Sequence, residues 1–277
     1  MYISVWQKTD VINLHSHNRK GQHKMKKYDY LIVGAGLFGA VFAHEATKKG
    51  KTCLVIDKRD HIGGNIYTEE VEGIQVHKYG AHIFHTSKKE IWDYVNQFTE
   101  FNHFVNSPIA VYKDELYNLP FNMNTFHQLW GVRTPAEAKA KIQEQISRMH
   151  ITHPKNLEEQ ALALVGQDVY EKLVEGYTRK QWGLDPSELD KSVTARIPTR
   201  TSTDDRYFLD TYQAMPQHGF TRLFENMLDH PDIRIELGVD HAELVHDGIA
   251  ARTIFTGPID GFFDHRFGPL PYRSLEF

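Results

Sequence analysis

The sequence predicts an α/β fold in which a parallel-sheet nucleotide-binding domain is interrupted by a helical insertion and joined by an additional antiparallel β-sheet. Three observations carry that prediction. The stretch "YDYLIVGAGLFGAVFAHEATKKGKTCLVID" runs strand, glycine turn, helix, strand. Helical patterns from Asn124 to Ser187 then interrupt the α/β alternation. A late helix–strand unit, "HGFTRLFENML" with "IRIELGVD", returns to the nucleotide domain, and "HDGIAARTIF" gives another strand.

Residues 1–24 have neither the apolar stretch of a secretory signal nor any periodicity. They are expected to lie outside the fold, which begins after Met25; a short added strand is the competing expectation. Leu31, Ile32 and Val33 form an apolar, largely β-branched run that suits a strand buried on both faces. Gly34, Gly36 and Gly39 then spell GxGxxG and lead into a helical pattern closed by Gly50. In such a turn the first glycine permits the bend and the second lets a pyrophosphate reach the backbone. The third lets helix and strand pack closely. The helix start offers unpaired N–H groups and partial positive charge to phosphates.

GxGxxG alone is weak evidence. Here a second strand follows and ends at Asp57, 23 positions after Gly34, where a carboxylate meets adenosine ribose hydroxyls. The pair Gly63-Gly64, soon after Asp57, resembles the extended fingerprint of FAD-binding proteins such as amine oxidases and glutathione reductase. A plain NAD domain does not need it. The cofactor read from these residues is therefore FAD in a Rossmann-like domain, with a simple hairpin turn as the plainer account of the pair.

Composition narrows the function. A net charge of -4 leaves no strongly basic face for nucleic acid. The single cysteine, Cys53, excludes an internal disulfide and a CxxC metal site, and fits a reducing compartment, here the cytoplasm. No apolar run is long enough to span a membrane. The histidines are scattered without HExxH spacing; His82 and His85 flank "IF", but no carboxylate or cysteine completes a metal set. No metal is expected. Lining a flavin ring and hydrogen-bonding within a loop are both open for these two histidines.

"KKEIWDYVNQFTEF" carries a helical stripe at Ile91, Tyr94, Val95 and Phe98. "SPIAVYKDELYNLPFNM" reads as a hairpin turning near Lys113-Asp114. Thr134 and Pro135 open a helix as cap and first-turn proline, and "NLEEQALALVGQDVYEKLVEGYTRKQWG" gives two helical segments around Gly166. Its end gathers Tyr177, Thr178, Arg179, Lys180 and Trp182. Aromatics beside cations suit a base-and-phosphate ligand, whereas aromatics at helical spacing also suit a core. Arg196 and Arg200 frame a proline and predict an extended segment. "DDRYFLDTYQAMP" reads as strand-like, and "HGFTRLFENML" as a turn into a helix. The expected domains are 25–123 (FAD-binding, first part, with the hairpin), 124–187 (helical, substrate-binding) and 188–277 (sheet and return to the FAD domain).

From about Lys26 to Phe277 the chain resembles the UDP-galactopyranose mutase family. The shared words are "HIGGN", "HKYGAHIFHTS", "NLPFNMNTFHQLWGV", "NLEEQA", "GYTRKQWG", "RIPTR", "DDRYFLDTYQAMP", "TGPIDGFFDHRFG" and "YRSLEF", in family order and spacing. The resemblance implies a flavoenzyme with no net redox. Reduced FAD, through N5, attacks the anomeric carbon of UDP-galactopyranose and expels UDP, and the sugar recloses as the furanose. Arg196 and Arg273 resemble the arginines that hold the pyrophosphate and close the site, a task for which a permanently charged, bidentate guanidinium is suited. Tyr177 and Trp182 correspond to uridine-side residues, Thr178 to a nearby polar contact, Tyr207 to a phosphate-bonding tyrosine and Asn106 to a substrate-contacting asparagine. His85 corresponds to the histidine beside the isoalloxazine. Phe38, Lys58, Asn65, His82 and Val239 fall at FAD-contacting positions, alongside Gly34, Gly36, Gly39, Asp57, Gly63 and Gly64.

The family further implies a homodimer and UDP-galactofuranose supply for cell-surface polysaccharide, with NAD(P)H the simplest electron donor. Its chains continue past "YRSLEF" with further substrate tyrosines and a Gly-Arg segment at the flavin, whereas this sequence stops at Phe277. A C-terminally truncated chain with an open flavin pocket, poor FAD retention and little turnover is the resulting expectation. Two other functions fit the residues. An amine-oxidase-type flavin oxidoreductase would share the nucleotide domain without needing the paired arginines, and a non-catalytic fragment would bind nucleotide alone.

Overall fold

The structure, a computed structural model, describes residues 28–196, 199–244, 248–272 and 274–275, without the side chains of residues 194–196. The extension 1–24 and Arg273 lie outside the described residues. By internal contacts the chain divides into one unit of residues 1–64 and 227–276 and another of 65–226. The sequence-based boundaries stood at 123/124 and 187/188; the contact division instead groups the hairpins before Asn124 with the helical block.

The first unit is built on a four-stranded parallel sheet in the order Ala250–Phe255, Tyr28–Val33, Cys53–Asp57, Ile233–Leu237. The two central strands are the apolar ones. Leu31, Ile32, Cys53, Val55 and Ile56 are all buried, as strands covered on both faces must be. The more polar Ile233–Leu237 and Ala250–Phe255 take the edges, so both late strands return to the nucleotide unit. Helix Leu37–Thr47 buries Gly39, Ala40, Ala43 and Ala46, small residues that let it lie close against its neighbours. Burial pushes the Cys53 thiol up to about 11, which keeps it protonated and chemically quiet.

The second unit holds most of the described helices and three two-stranded antiparallel ladders: Thr68–Val71 with Ile74–His77, Phe84–Thr86 with Tyr212–Ala214, and Ile109–Tyr112 with Glu115–Asn118. Its helical core centres on Phe121, Phe126, Leu157, Ala161, Val165 and Val169. Three of its helices start on a side-chain cap. Asn122 receives the Asn124 amide at 2.7 Å and opens Met123–Trp130. Thr134, paired reciprocally with Glu137, opens Pro135–Met149. Asn156 opens Leu157–Val165. After Gly166 the chain makes a short α turn, a π-helical segment Tyr170–Glu175, and helix Gly176–Trp182.

Three expectations are corrected. The helix in "KKEIWDYVNQFTEF" spans only Lys89–Val95 and leaves Ile91 40% exposed. Trp92 takes the packing position instead, stacked on Tyr212 at 5.2 Å and tilted against Phe84 and Phe101. Of the Arg196–Arg200 segment expected to be extended, residues 197–198 lie outside the described residues, and Arg196 itself ends a 3-10 helix, Lys191–Arg196, started by Asp190, whose carboxylate receives the Ser192 amide and whose carbonyl receives that of Val193. A proline restricts the residue directly before it, Ile197 here, and leaves Arg196 free to be helical. Only Tyr212–Ala214 of "DDRYFLDTYQAMP" is strand, because side chains already occupy much of the backbone between Asp204 and Asp210.

Candidate functional site

In the first unit the glycine-rich turn runs from the end of strand Tyr28–Val33 to helix Leu37–Thr47. Gly34 adopts φ +110°, and a Cβ there would strike the Thr256 hydroxyl; one on Gly39 would strike the Gly34 carbonyl. Gly36 faces Gly64 so closely that a Cβ on Gly64 would sit 3.1 Å from the Gly36 Cα. The buried Gly63 donates its amide to the Ala35 carbonyl at 2.9 Å. The two glycine motifs therefore form one backbone surface without side chains. Gly36 stands at the N-cap of helix Leu37–Thr47, where no side chain satisfies the first amides. A pyrophosphate fits that combination of open backbone and helix N-terminus.

Asp57 ends the second strand beside this turn. Its Oδ2 accepts from the Ala35 amide at 2.9 Å and its Oδ1 from the Arg59 amide at 3.0 Å. Each oxygen keeps a lone pair, so the carboxylate is oriented yet still able to accept from a vicinal diol. The Val239 amide donates to the Asp57 backbone carbonyl at 3.0 Å, which ties Val239 to the end of the second strand. Lys58 is exposed immediately after it. Phe38 is 65% exposed and, with Phe255, Thr256, Ile259, Phe262 and Phe263, lines an open cleft of roughly 590 Å³. Sequence reasoning missed the Phe255–Phe263 side of this cleft; the signal was the aromatic density of "IFTGPIDGFF" just after a strand.

In the second unit several predicted residues come together. The Tyr207 amide donates to the Asn106 carbonyl at 2.7 Å. Tyr207 packs edge-on against Phe208 at 4.9 Å, and Phe208 stacks on the His85 ring at 3.6 Å. Asn106, Tyr207 and His85 thus share one neighbourhood. Two residues that sequence reasoning did not assign to the site organise it. Asp210 pairs with the His85 Nδ1 at 2.8 Å, and its carboxyl is held below the usual range by that contact and by the Ser87 hydroxyl. Arg200 donates to the carbonyls of Asp204, Arg206 and Tyr207. His82 turns its Nδ1 to the Gly80 carbonyl at 2.9 Å, and Asn65 sits exposed in the 3-10 turn Gly64–Ile66.

Tyr177, Thr178 and Trp182 lie on helix Gly176–Trp182. Tyr177 is 68% exposed and Trp182 partly so, while Thr178 is buried. The helix accordingly presents aromatic faces rather than that hydroxyl. The cation beside them is engaged: Arg179 binds Glu175 at 3.0 Å and Asp185 at 2.5 Å. Lys180 is exposed. Of the arginine pair expected to grip phosphate, Arg196 is described only by its backbone at the end of the 3-10 helix. Among the described residues no group of three or more His, Cys, Asp or Glu could hold a metal, and no helix is long and apolar enough to cross a membrane.

Comparison with known proteins follows this geometry. A family model described as UDP-galactopyranose mutase matches residues 172–277, and one described as an NAD(P)-binding Rossmann-like domain matches residues 32–98. A Klebsiella pneumoniae protein described as "Probable UDP-galactopyranose mutase" is 40% identical over 91% of this chain and 66% of its own. A "dTDP-fucopyranose mutase" from Escherichia coli is 41% identical over 89% of this chain and 67% of its own. The chain thus spans about two thirds of the length of these relatives. A crystal structure of a reduced UDP-galactopyranose mutase superposes with a TM-score of 0.65 at 18% identity, covering 86% of this chain and 56% of that one, and so shares its fold.

Proposed function

The chain belongs to the UDP-galactopyranose mutase family, and from that membership we propose that it serves as a flavin-dependent isomerase interconverting the pyranose and furanose forms of UDP-galactose. The observation that carries the reading is the cradle itself: joined glycine motifs, an uncapped helix start and an oriented Asp57 carboxylate fit the ADP half of FAD. Bound and reduced, FAD supplies an electron-rich nitrogen able to attack an anomeric carbon.

The remaining work falls to the chain. Gly34, Gly36, Gly39, Gly63 and Gly64 admit the pyrophosphate, Asp57 receives ribose hydroxyls, and Phe38 covers the cofactor from its exposed position. By family correspondence Asn65, Lys58, His82 and Val239 are assigned to the cofactor as well, and His85 to its flavin ring. For the substrate, Tyr177 and Trp182 offer flat apolar surfaces to the base, and Tyr207 and Asn106 bind polar groups of the sugar diphosphate. Arg196 and Arg273 supply the positive charge that stabilises the departing diphosphate. In this reading the helical block 124–187 is the substrate-binding part. The product feeds cell-surface polysaccharide, and the chain acts in the cytoplasm as a homodimer.

A second substrate is favoured by one observation, the 41% identity to a dTDP-fucopyranose mutase. One experiment separates the two: protein supplied with FAD and reduced anaerobically by dithionite is incubated with UDP-galactofuranose or dTDP-fucofuranose, and the sugar nucleotides are chromatographed. Faster conversion of UDP-galactofuranose supports the first substrate, and faster conversion of dTDP-fucofuranose replaces it. No ring conversion of either, with substrate oxidation in its place, overturns the isomerase.

A further inference from the structure

We propose that Asp210 is a positioning residue for His85, holding the imidazole with its hydrogen on Nδ1 and leaving Nε2 as the atom offered to a ligand. The inference deepens the isomerase reading and rests on it only for its kinetic part. Asp210 and His85 are 125 positions apart, yet the carboxylate Oδ2 lies 2.8 Å from Nδ1. A carboxylate only accepts, so the ring nitrogen facing it must carry hydrogen.

Besides His85, two neighbours hold Asp210. The Ser87 hydroxyl donates to its other oxygen at 2.8 Å, and the Thr211 amide donates to that hydroxyl at 3.3 Å. The buried Gln213 amide nitrogen donates to the carbonyls of Phe208 and Asp210, at 3.1 and 3.0 Å. Phe208 fixes the ring plane by stacking on it with an interplanar angle of 12°. The strand pairing that sets His85 opposite Gln213 brings these parts together. The imidazole is therefore constrained in plane, rotation and tautomer. Nε2 makes no hydrogen bond among the described residues, and the side chain is 37% exposed.

A free imidazole favours hydrogen on Nε2, so the carboxylate reverses the ordinary preference. The consequence is an acceptor where an unpaired histidine would present a donor. A ligand hydroxyl or ring N–H facing Nε2 would be bound, and an acceptor there would be rejected.

The test uses the full chain labelled with nitrogen-15 at histidine, with the His85 signals assigned by their loss in His85→Gln. Long-range proton–nitrogen correlation spectra at a pH where the ring is neutral read the tautomer directly. In the parent protein hydrogen on Nδ1 is expected; hydrogen on Nε2 overturns the proposal without any variant. In Asp210→Ala the signal should move toward the Nε2–H form, and an unchanged tautomer in the folded variant overturns it equally. If Asp210→Ala does not fold, Ser87→Ala replaces it: Nδ1 hydrogen should persist while ring mobility increases, and an unchanged ring overturns the proposal.

Kinetics separate positioning from a purely structural part. Turnover should fall roughly 10- to 100-fold in Asp210→Ala with KM little changed; equal loss in both would mark general damage and count against the proposal. Absence of isomerase activity in the parent would remove the proposed reaction while the tautomer measurement still decides the role of Asp210.

Discussion

The Tyr207 amide donates to the Asn106 carbonyl at 2.7 Å, joining two stretches of the chain that regular secondary structure does not pair. The contact depends on Arg200, whose guanidinium reaches the carbonyls of Asp204, Arg206 and Tyr207 and whose own amide is fixed to the Phe121 carbonyl at 2.8 Å. A planar fork suits three acceptors spread along a turn, and an ammonium does not. Arg200→Lys should therefore loosen the Tyr207 segment and weaken UDP binding by roughly tenfold, measured by titration calorimetry, while leaving FAD affinity unchanged.

Asp57 gives a prediction on the cofactor. In Asp57→Ala the Ala35 and Arg59 amides lose their acceptor and the ribose loses its partner. FAD affinity should drop by about 10- to 100-fold, read from quenching of flavin fluorescence. Asp57→Asn should lose less, because its carbonyl can still accept one of the two amides.

At Gly39 the obstacle is steric. A methyl group there meets the Gly34 carbonyl, which is backbone and cannot swing aside. Gly39→Ala should separate helix Leu37–Thr47 from the sheet, lower stability by about 1–3 kcal/mol and lower flavin occupancy with it. Paired chemical denaturation and flavin titration check both effects.

The acid limb of stability should carry a contribution from Asp204. Hydrogen bonds from the Arg206 guanidinium and amide hold its carboxyl at about 2, below the ordinary 3.8. A carboxyl lowered on folding stabilises the protein above its unfolded value, and the contribution is lost as pH falls through about 2. The pair is partly solvated, so Asp204→Asn should cost only about 1 kcal/mol at pH 7. That difference should shrink toward zero at the acid end of a denaturation series.

Much of this architecture is written in local signals. The glycine turn, the Thr134-Pro135 helix start and the Lys113-Asp114 turn each depend on residues within a few positions of one another, and Asp57 on a fixed spacing from Gly34, so the sequence shows them directly. What stayed hidden depends on distant partners. Nothing around Asp210 says that its carboxylate meets a histidine on a strand 125 positions away, and nothing around Arg200 announces three carbonyl acceptors. Trp92 outranked Ile91 because its partners, Phe84, Phe101 and Tyr212, come from separate strands and loops. The family words located Tyr207 and His85 but could not say that Phe208 joins them.

The central claim is that reduced FAD seated on the Gly34–Gly39 turn drives a ring interconversion with no net oxidation. Its most direct test is a redox cycle on one sample: anaerobic reduction with dithionite, addition of UDP-galactofuranose, then admission of air, with sugar nucleotides quantified throughout. The claim predicts UDP-galactopyranose forming only during the reduced phase and ceasing on reoxidation. Conversion that continues unchanged with oxidised flavin, or an oxidised sugar product in place of the pyranose, would contradict it.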